Sequence, residues 1–266
     1  MDGRLRNHFY ELLDGGGVAL GAQLRFGSAS IAELFAAAGF DFVVIDGEHA
    51  PQTPVGIQAQ LQAVNGYECT PVVRLGGIDR AEIQVVLDMG AGGVLVPLVR
   101  TAAEVETFVQ ACRYPPQGIR SYGPSRASRF GFDREYWPRN TPKIVTMIII
   151  ETAEAVENID EILAVEGLDT FVMGPADLSV ALGVPMEMQH PKVEAATEKV
   201  LRSAQRLGKP AGVSFYPSSA SMTRPVEQGA RVLLSGGDEW MLHAGCSEMV
   251  EAANQLRKAS GMHRRA

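Results

Sequence analysis

Three cysteines are all that the 266 residues carry: Cys69, Cys112 and Cys246, each alone in its stretch. Their odd count and wide spacing argue against a disulfide framework and a thiolate metal site; reduced thiols in a cytoplasmic protein are the expectation. There is no basic surplus, since 24 Lys and Arg face 31 Asp and Glu for a formal charge of −7. That balance argues against nucleic-acid binding, which needs a basic footprint. No apolar run approaches the ~20 residues that span a bilayer. The longest, residues 144–150, has the length of a strand. Met1 to Tyr10 holds charges and no apolar core, so no signal peptide is expected. Lysine is also rare, with five, at positions 143, 192, 199, 209 and 258.

What is present is alternation. Short apolar, β-branched runs at 18–24, 42–45, 70–74, 93–96, 144–150, 170–173, 211–215 and 231–234 read as strands. Helical segments lie between them. Ser28 or Ser30 caps a helix ending near Ala38, and Asp79 caps one over 80–89. Thr101 with Glu104 forms a capping box for 102–112; further helices cover 192–207 and 238–258. Nearly continuous apolar strands imply burial on both faces, as in a parallel sheet. Eight βα units predict an α/β fold, a TIM (β/α)8 barrel, as one domain over 1–266 with an extra helix within 1–14 on the barrel floor. An open doubly wound sheet is the alternative, weakened by the lack of GxGxxG opening a first helix. One connection is long, Tyr114 to Pro142, with Arg120, Arg126, Arg129, Arg134 and Arg139; it reads as functional, as a solvated crossover or as a subunit contact.

Active sites of such barrels sit at the C-terminal ends of the strands. The polar residues there are Arg25; Asp46, Glu48 and His49; Arg74; Glu151; Gly174-Pro175-Ala176-Asp177; Ser214; and Ser235 to Asp238. Glu151 and Asp177, on adjacent strands, suit one divalent cation held through oxygen with other positions open, which favours Mg2+ or Mn2+ over structural zinc. Singly, Glu151 would read as a helix cap and Asp177 as a turn residue. Of five histidines only His49 falls at a strand end; Asp46 and Glu48 are placed to orient it for proton exchange. Arg74 suits a carboxylate or enolate oxygen, or an ion pair with a rim acid. No lysine falls at a strand C-terminus, which disfavours a Schiff base and pyridoxal phosphate and leaves a metal to polarise any carbonyl.

At FDFVVIDGEHAPQ (40–52), PVVRL (71–75), VLDMGAGGVLVPLV (86–99), CRYPPQGIRSYG (112–123), IIIETAEAVENIDEILAVEGLD (148–169) and MGPADLS (173–179) the chain resembles the HpcH/HpaI family of metal-dependent 2-oxo acid aldolases. The resemblance implies Glu151 and Asp177 as metal ligands for Mg2+ or Mn2+, with Co2+ also used, and His49 with Asp46 as the acid–base pair. It implies Arg74 at the pyruvate enolate and backbone amides around Gly174, Pro175, Ala176 and Asp177 at the carboxylate, with Ser214 nearby. Asp88 matches a residue reaching a neighbouring subunit's site, and a homohexamer, a trimer of dimers, is implied. The implied reaction cleaves a 4-hydroxy-2-oxo acid into pyruvate and an aldehyde. The alternatives are an acyl-CoA lyase, with the arginines of 120–139 on CoA phosphates, and a barrel that binds a carboxylate without turnover. Ile149 stands where relatives often carry glutamine, and Leu75 where proline is common.

Overall fold

The structure is a computed structural model that describes residues 7–137, 143–215, 223 and 225–260. Its elements run α1 (His8–Asp14), β1 (Ala19–Leu24), α2 (Ala29–Ala37), β2 (Phe42–Asp46), α3 (Pro54–Ala63), β3 (Thr70–Arg74), α4 (Arg80–Asp88), β4 (Gly93–Val96), α5 (Ala102–Cys112) and β5 (Val145–Ile150). They continue with α6 (Ala153–Glu157), α7 (Ile159–Leu163), β6 (Thr170–Met173), α8 (Pro175–Ala181), α9 (Pro191–Leu207), β7 (Ala211–Phe215), β8 (Ala230–Gly237) and α10 (Asp238–Ala259). The strands pair in parallel and in chain order, and β1 pairs with β8, so the sheet is a closed barrel and the open alternative is excluded.

The expected strands are all present, with shifted ends: β2 runs on to Asp46, and β8 covers Ala230–Gly237 where 231–234 was expected. Caps follow the sequence. Ser28, Asp79 and Thr101 each accept from backbone N–H groups of the first turn, and Thr101 with Glu104 completes the capping box. Gly208, at φ 65°, ends α9 in the left-handed conformation that suits glycine.

Strand side chains alternate, so residues two apart share a face. Val43, Ile45, Val73, Val94, Ile148 and Phe171 point outward into the layer between strands and helices. Phe42, Val44, Val72, Leu95, Val145, Met147, Ile149, Val172, Val232 and Leu234 fill the interior. The floor is closed by α1. Phe9 enters the interior cluster and stacks on Phe42 with ring centroids 4.2 Å apart; burying such a ring contributes about 1.5–3 kcal/mol. A Cβ at Gly21 would lie 2.2 Å from that Phe42 ring, so glycine makes room for the stack. Asn7 fastens α1 to the strand starts, donating to the carbonyls of Gly92 (2.6 Å) and Lys143 (2.5 Å). Residues 1–6 of the expected floor segment lie outside the described residues.

The long connection packs on α4. Arg120 is buried and reaches Asp88 (2.7 Å), and Arg126 donates to the Met89 carbonyl (2.7 Å). Arg139 and the rest of 138–142 lie outside the described residues. No helix among the described residues is long and apolar enough to cross a membrane.

Candidate active site

The alternation that fills the interior also aims the polar residues. Two positions beyond Val44 stands Asp46, two beyond Val72 is Arg74, and two beyond Ile149 is Glu151. These inner-face positions meet at the C-terminal mouth, around a cavity of about 680 Å3 lined among others by Gln23, Arg25, His49, Arg74, Ile149, Glu151, Gly174, Pro175, Ala176, Asp177, Ser214 and Trp240.

Asp46 and Arg74 are register partners on β2 and β3. Asp46 is fully buried, and Arg74 grips it with Nε on Oδ1 (2.9 Å) and Nη2 on Oδ2 (2.5 Å). Arg25 Nε (3.1 Å) and Gln23 Nε2 (3.2 Å) also donate to Oδ2, and the backbone N–H groups of Glu48 (3.0 Å) and His49 (3.1 Å) to Oδ1. Burial alone would raise the Asp46 pKa. The Arg74 hydrogen bonds and charge, with the two backbone donors, outweigh it and hold the carboxyl below the usual carboxylate range. This corrects one expectation: the Asp46 carboxylate orients Arg74, and it touches His49 only through the backbone. The His49 ring lies instead beside Glu48, with Nε2 3.6 Å from Oε2, and its side chain is 57% exposed at the mouth. Glu48 Oε2 is also 3.2 Å from Arg74 Nη1.

Glu151 is not a helix cap. Thr152 caps α6, accepting from Ala155 N–H (3.0 Å). Glu151 is buried and accepts one backbone hydrogen bond, from Leu98 N–H to Oε1 (2.8 Å). Leu98 makes that contact from a left-handed backbone, φ 56°, a conformation that costs a non-glycine residue about 1–3 kcal/mol. Burial pushes the Glu151 carboxyl up to about 7, the Leu98 N–H pulls it down, and the nearby charges of Asp177 and Glu48 push it up again. Gly174 packs beneath Glu151: a Cβ there would meet Glu151 Oε2 at 2.6 Å and Ile149 Cγ2 at 2.8 Å. Gly174 N–H donates to the Ile150 carbonyl (3.0 Å), which sets the start of α8 beside the end of β5 and brings Asp177, in the first turn of α8, to the same mouth. Among the described residues no three or more His, Cys, Asp or Glu are grouped as a metal site.

Ser214 and the Gly174–Asp177 turn line the cavity, as expected. Asp88 stands apart from it within one chain, at the end of α4, held by Arg120 Nη2 and by Gln84 Nε2 (both 2.7 Å). The buried Asp238 accepts from the N–H groups of Arg25 (2.9 Å) and Phe26 (3.0 Å), tying the β1 loop to the end of β8. Gln23, the Leu98 amide and Trp240 were not anticipated. Gln23 follows from the two-residue period of β1, whereas nothing in the local sequence marks Leu98 as left-handed.

A family model described as HpcH/HpaI aldolase/citrate lyase matches residues 24–242. The 4-hydroxy-2-oxo-heptane-1,7-dioate aldolase of Salmonella typhimurium (strain LT2) is 38% identical over 259 residues, covering 97% of this chain and 98% of that one. Among solved structures, an HpcH/HpaI aldolase from Desulfitobacterium hafniense DCB-2 is 34% identical with a TM-score of 0.85, covering 91% of this chain and 95% of that one. A family protein from Burkholderia cenocepacia J2315 is 30% identical with a TM-score of 0.88, covering 93% and 100%. With its barrel, its strand-end carboxylates and a similarity that runs nearly end to end, the chain belongs to the HpcH/HpaI aldolase/citrate lyase family.

Proposed function

We propose that this chain is a carbon–carbon lyase, a divalent-metal aldolase that cleaves a 4-hydroxy-2-oxo acid reversibly to pyruvate, or a similar oxo acid, and an aldehyde. The observation that carries the reading is Glu151: a buried carboxyl at a strand end, beside the charge of Asp177, with a single backbone donor. A carboxyl so placed is costly unless a cation shares it. The oxygen donors of Glu151 and Asp177 fit a hard ion such as Mg2+ or Mn2+, with Co2+ also accepted. Such an ion, when bound, supplies Lewis-acid polarisation of the keto group, worth several kcal/mol.

The chain's own residues do the rest. Arg74, 9% exposed at the side chain and gripped by Asp46, lies deep in the mouth and His49 lies outermost. That gradient orients the substrate with its oxo acid inward and its aldehyde portion outward. His49 takes the 4-hydroxyl proton as the C3–C4 bond breaks, a role worth about 10²–10⁴-fold. The electron pair of that bond remains on pyruvate as its enolate, beside the fixed charge of Arg74. The aldehyde leaves toward solvent, and a proton delivered to C3 completes pyruvate. The amides of Ala176 and Asp177, among the unpaired donors at the start of α8, hold the substrate carboxylate, with Ser214 beside it. In the absence of an active-site lysine role, neither a Schiff base nor pyridoxal phosphate enters this scheme.

The acyl-CoA lyase reading is less well supported. Two of the arginines assigned to CoA phosphates, Arg120 and Arg126, instead hold the long connection on α4. The mature form is proposed to be a homo-oligomer, a trimer of dimers in which Asp88 nears a neighbouring site. Exposed Met241, Leu242, Met249, Val250 and Leu256 on α10 support association. The free thiols of Cys69, Cys112 and Cys246 fit a cytoplasmic location. The deciding experiment is cleavage of 4-hydroxy-2-oxoheptanedioate, with pyruvate read by a coupled dehydrogenase. Pyruvate release that stops in EDTA and returns with Mg2+ or Mn2+ is expected; full activity in EDTA would overturn the metal role.

A further inference from the structure

We propose that Glu48 is the positioning residue of His49, a role Asp46 is not free to fill. The inference rests on the acid–base role given to His49 above. Asp46 already accepts from six donors: Arg74 Nε and Nη2, Arg25 Nε, Gln23 Nε2 and the backbone N–H groups of Glu48 and His49. A carboxylate offers about four lone-pair sites, so no acceptor capacity remains for the imidazole. Glu48 is the carboxylate at the ring, with Oε2 3.6 Å from His49 Nε2 and 3.2 Å from Arg74 Nη1.

The backbone dictates this placement. Gly47 N–H donates to the Arg74 carbonyl (2.8 Å), and a Cβ at Gly47 would lie 2.6 Å from that same oxygen. Only glycine lets the turn press this closely on β3. With the N–H groups of Glu48 and His49 then fixed on Asp46 Oδ1, the Glu48 carboxylate has little choice but to face Arg74 and the ring. A distance of 3.6 Å is ion-pair range, and catalytic contacts of this kind tighten when substrate closes the site. A carboxylate facing Nε2 favours the tautomer that carries its proton there. That leaves Nδ1 as the bare nitrogen that takes the 4-hydroxyl proton, and the imidazolium so formed stands beside a negative charge. Arg74, shared by Asp46 and Glu48, keeps the two carboxylates from repelling.

The test is the isosteric E48Q, compared with H49A and the double variant, all in the full chain with Mg2+. E48Q is expected to lower kcat for cleavage about 10–100-fold, the usual range for an orienting carboxylate, with KM for the oxo acid within about 3-fold because Arg74 keeps its Asp46 grip. In the H49A background the same substitution should add less than about 2-fold, the signature of action through the histidine. E48D, which restores the charge, should recover part of the loss. Independently of turnover, 15N shifts of the His49 ring should report an Nε2–H tautomer in the unaltered chain and a mixture in E48Q. An E48Q effect of equal size with and without His49 would assign Glu48 to Arg74 and overturn the proposal. Unchanged ring shifts in E48Q would overturn it too, even in a chain that cleaves no aldol; that last result would separately sink the proposed function.

Discussion

Replacing Glu151 by glutamine should stabilise the metal-free protein at alkaline pH, against the usual effect of altering a buried polar residue. Burial and the charges of Asp177 and Glu48 lift this carboxyl from 4.5 to about 7 in the fold. Between those values the folded chain holds a proton that the unfolded chain has released. Stability therefore falls as pH rises through the window, and the full penalty is present above about 7. The gap corresponds to about 3 kcal/mol. Glutamine does not titrate, and its carbonyl still accepts the Leu98 N–H. In EDTA at pH 8, E151Q should melt higher than the unaltered chain by roughly 6–12 °C for a domain of this size. At pH 4 to 5 the difference should nearly vanish. Divalent metal should stabilise the unaltered chain and leave E151Q unmoved. Thermal unfolding at the two pH values, with and without EDTA, reads all three effects. If E151Q is no more stable at pH 8, or its advantage persists unchanged at pH 4 to 5, the buried-charge reasoning is wrong.

Two further substitutions probe the supports of the site. D46N removes one member of a buried pair and leaves the Arg74 charge uncompensated, at a cost of about 3–5 kcal/mol. Because the Asp46 pKa is depressed, its stabilisation is present above the ordinary carboxylate range and is lost as pH falls. D46N should therefore melt lower at pH 7 and converge with the unaltered chain in acid, and its kcat/KM should fall with Arg74 released. G174A forces a methyl group to within 2.6 Å of Glu151 Oε2. It should cost about 1–3 kcal/mol by melting and reduce kcat/KM more than 10-fold, on the order of one ligand displaced. A G174A enzyme with normal turnover would show that the close packing beneath Glu151 is dispensable.

Much of this architecture was legible because it rests on periodicity. Strands buried on both faces read as apolar runs, and a polar residue two positions past the last interior one had to point into the mouth, as Asp46, Arg74 and Glu151 do. Caps such as Thr101 with Glu104 and stops such as Gly208 were equally plain. By contrast α3 went unread, its start marked only by Thr53 and Pro54 and its buried face broken by Gln60. The partner of His49 was misassigned in part. Asp46 and Glu48 both stand near it in the chain, and the choice between them depends on Arg25 and Gln23 arriving from β1 and on the turn at Gly47. The left-handed Leu98 is likewise a product of tertiary context, held where its N–H meets Glu151.

The account stands on Glu151 and Asp177 sharing one ion, and Mn2+ binding followed by electron paramagnetic resonance on EDTA-treated protein at pH 8 tests that directly. One Mn2+ per chain is expected for the unaltered protein and for H49A, with binding abolished or weakened at least 10-fold in E151Q and in D177N while both stay folded. Equal Mn2+ uptake by D177N and the unaltered chain, or no uptake by either, would contradict it.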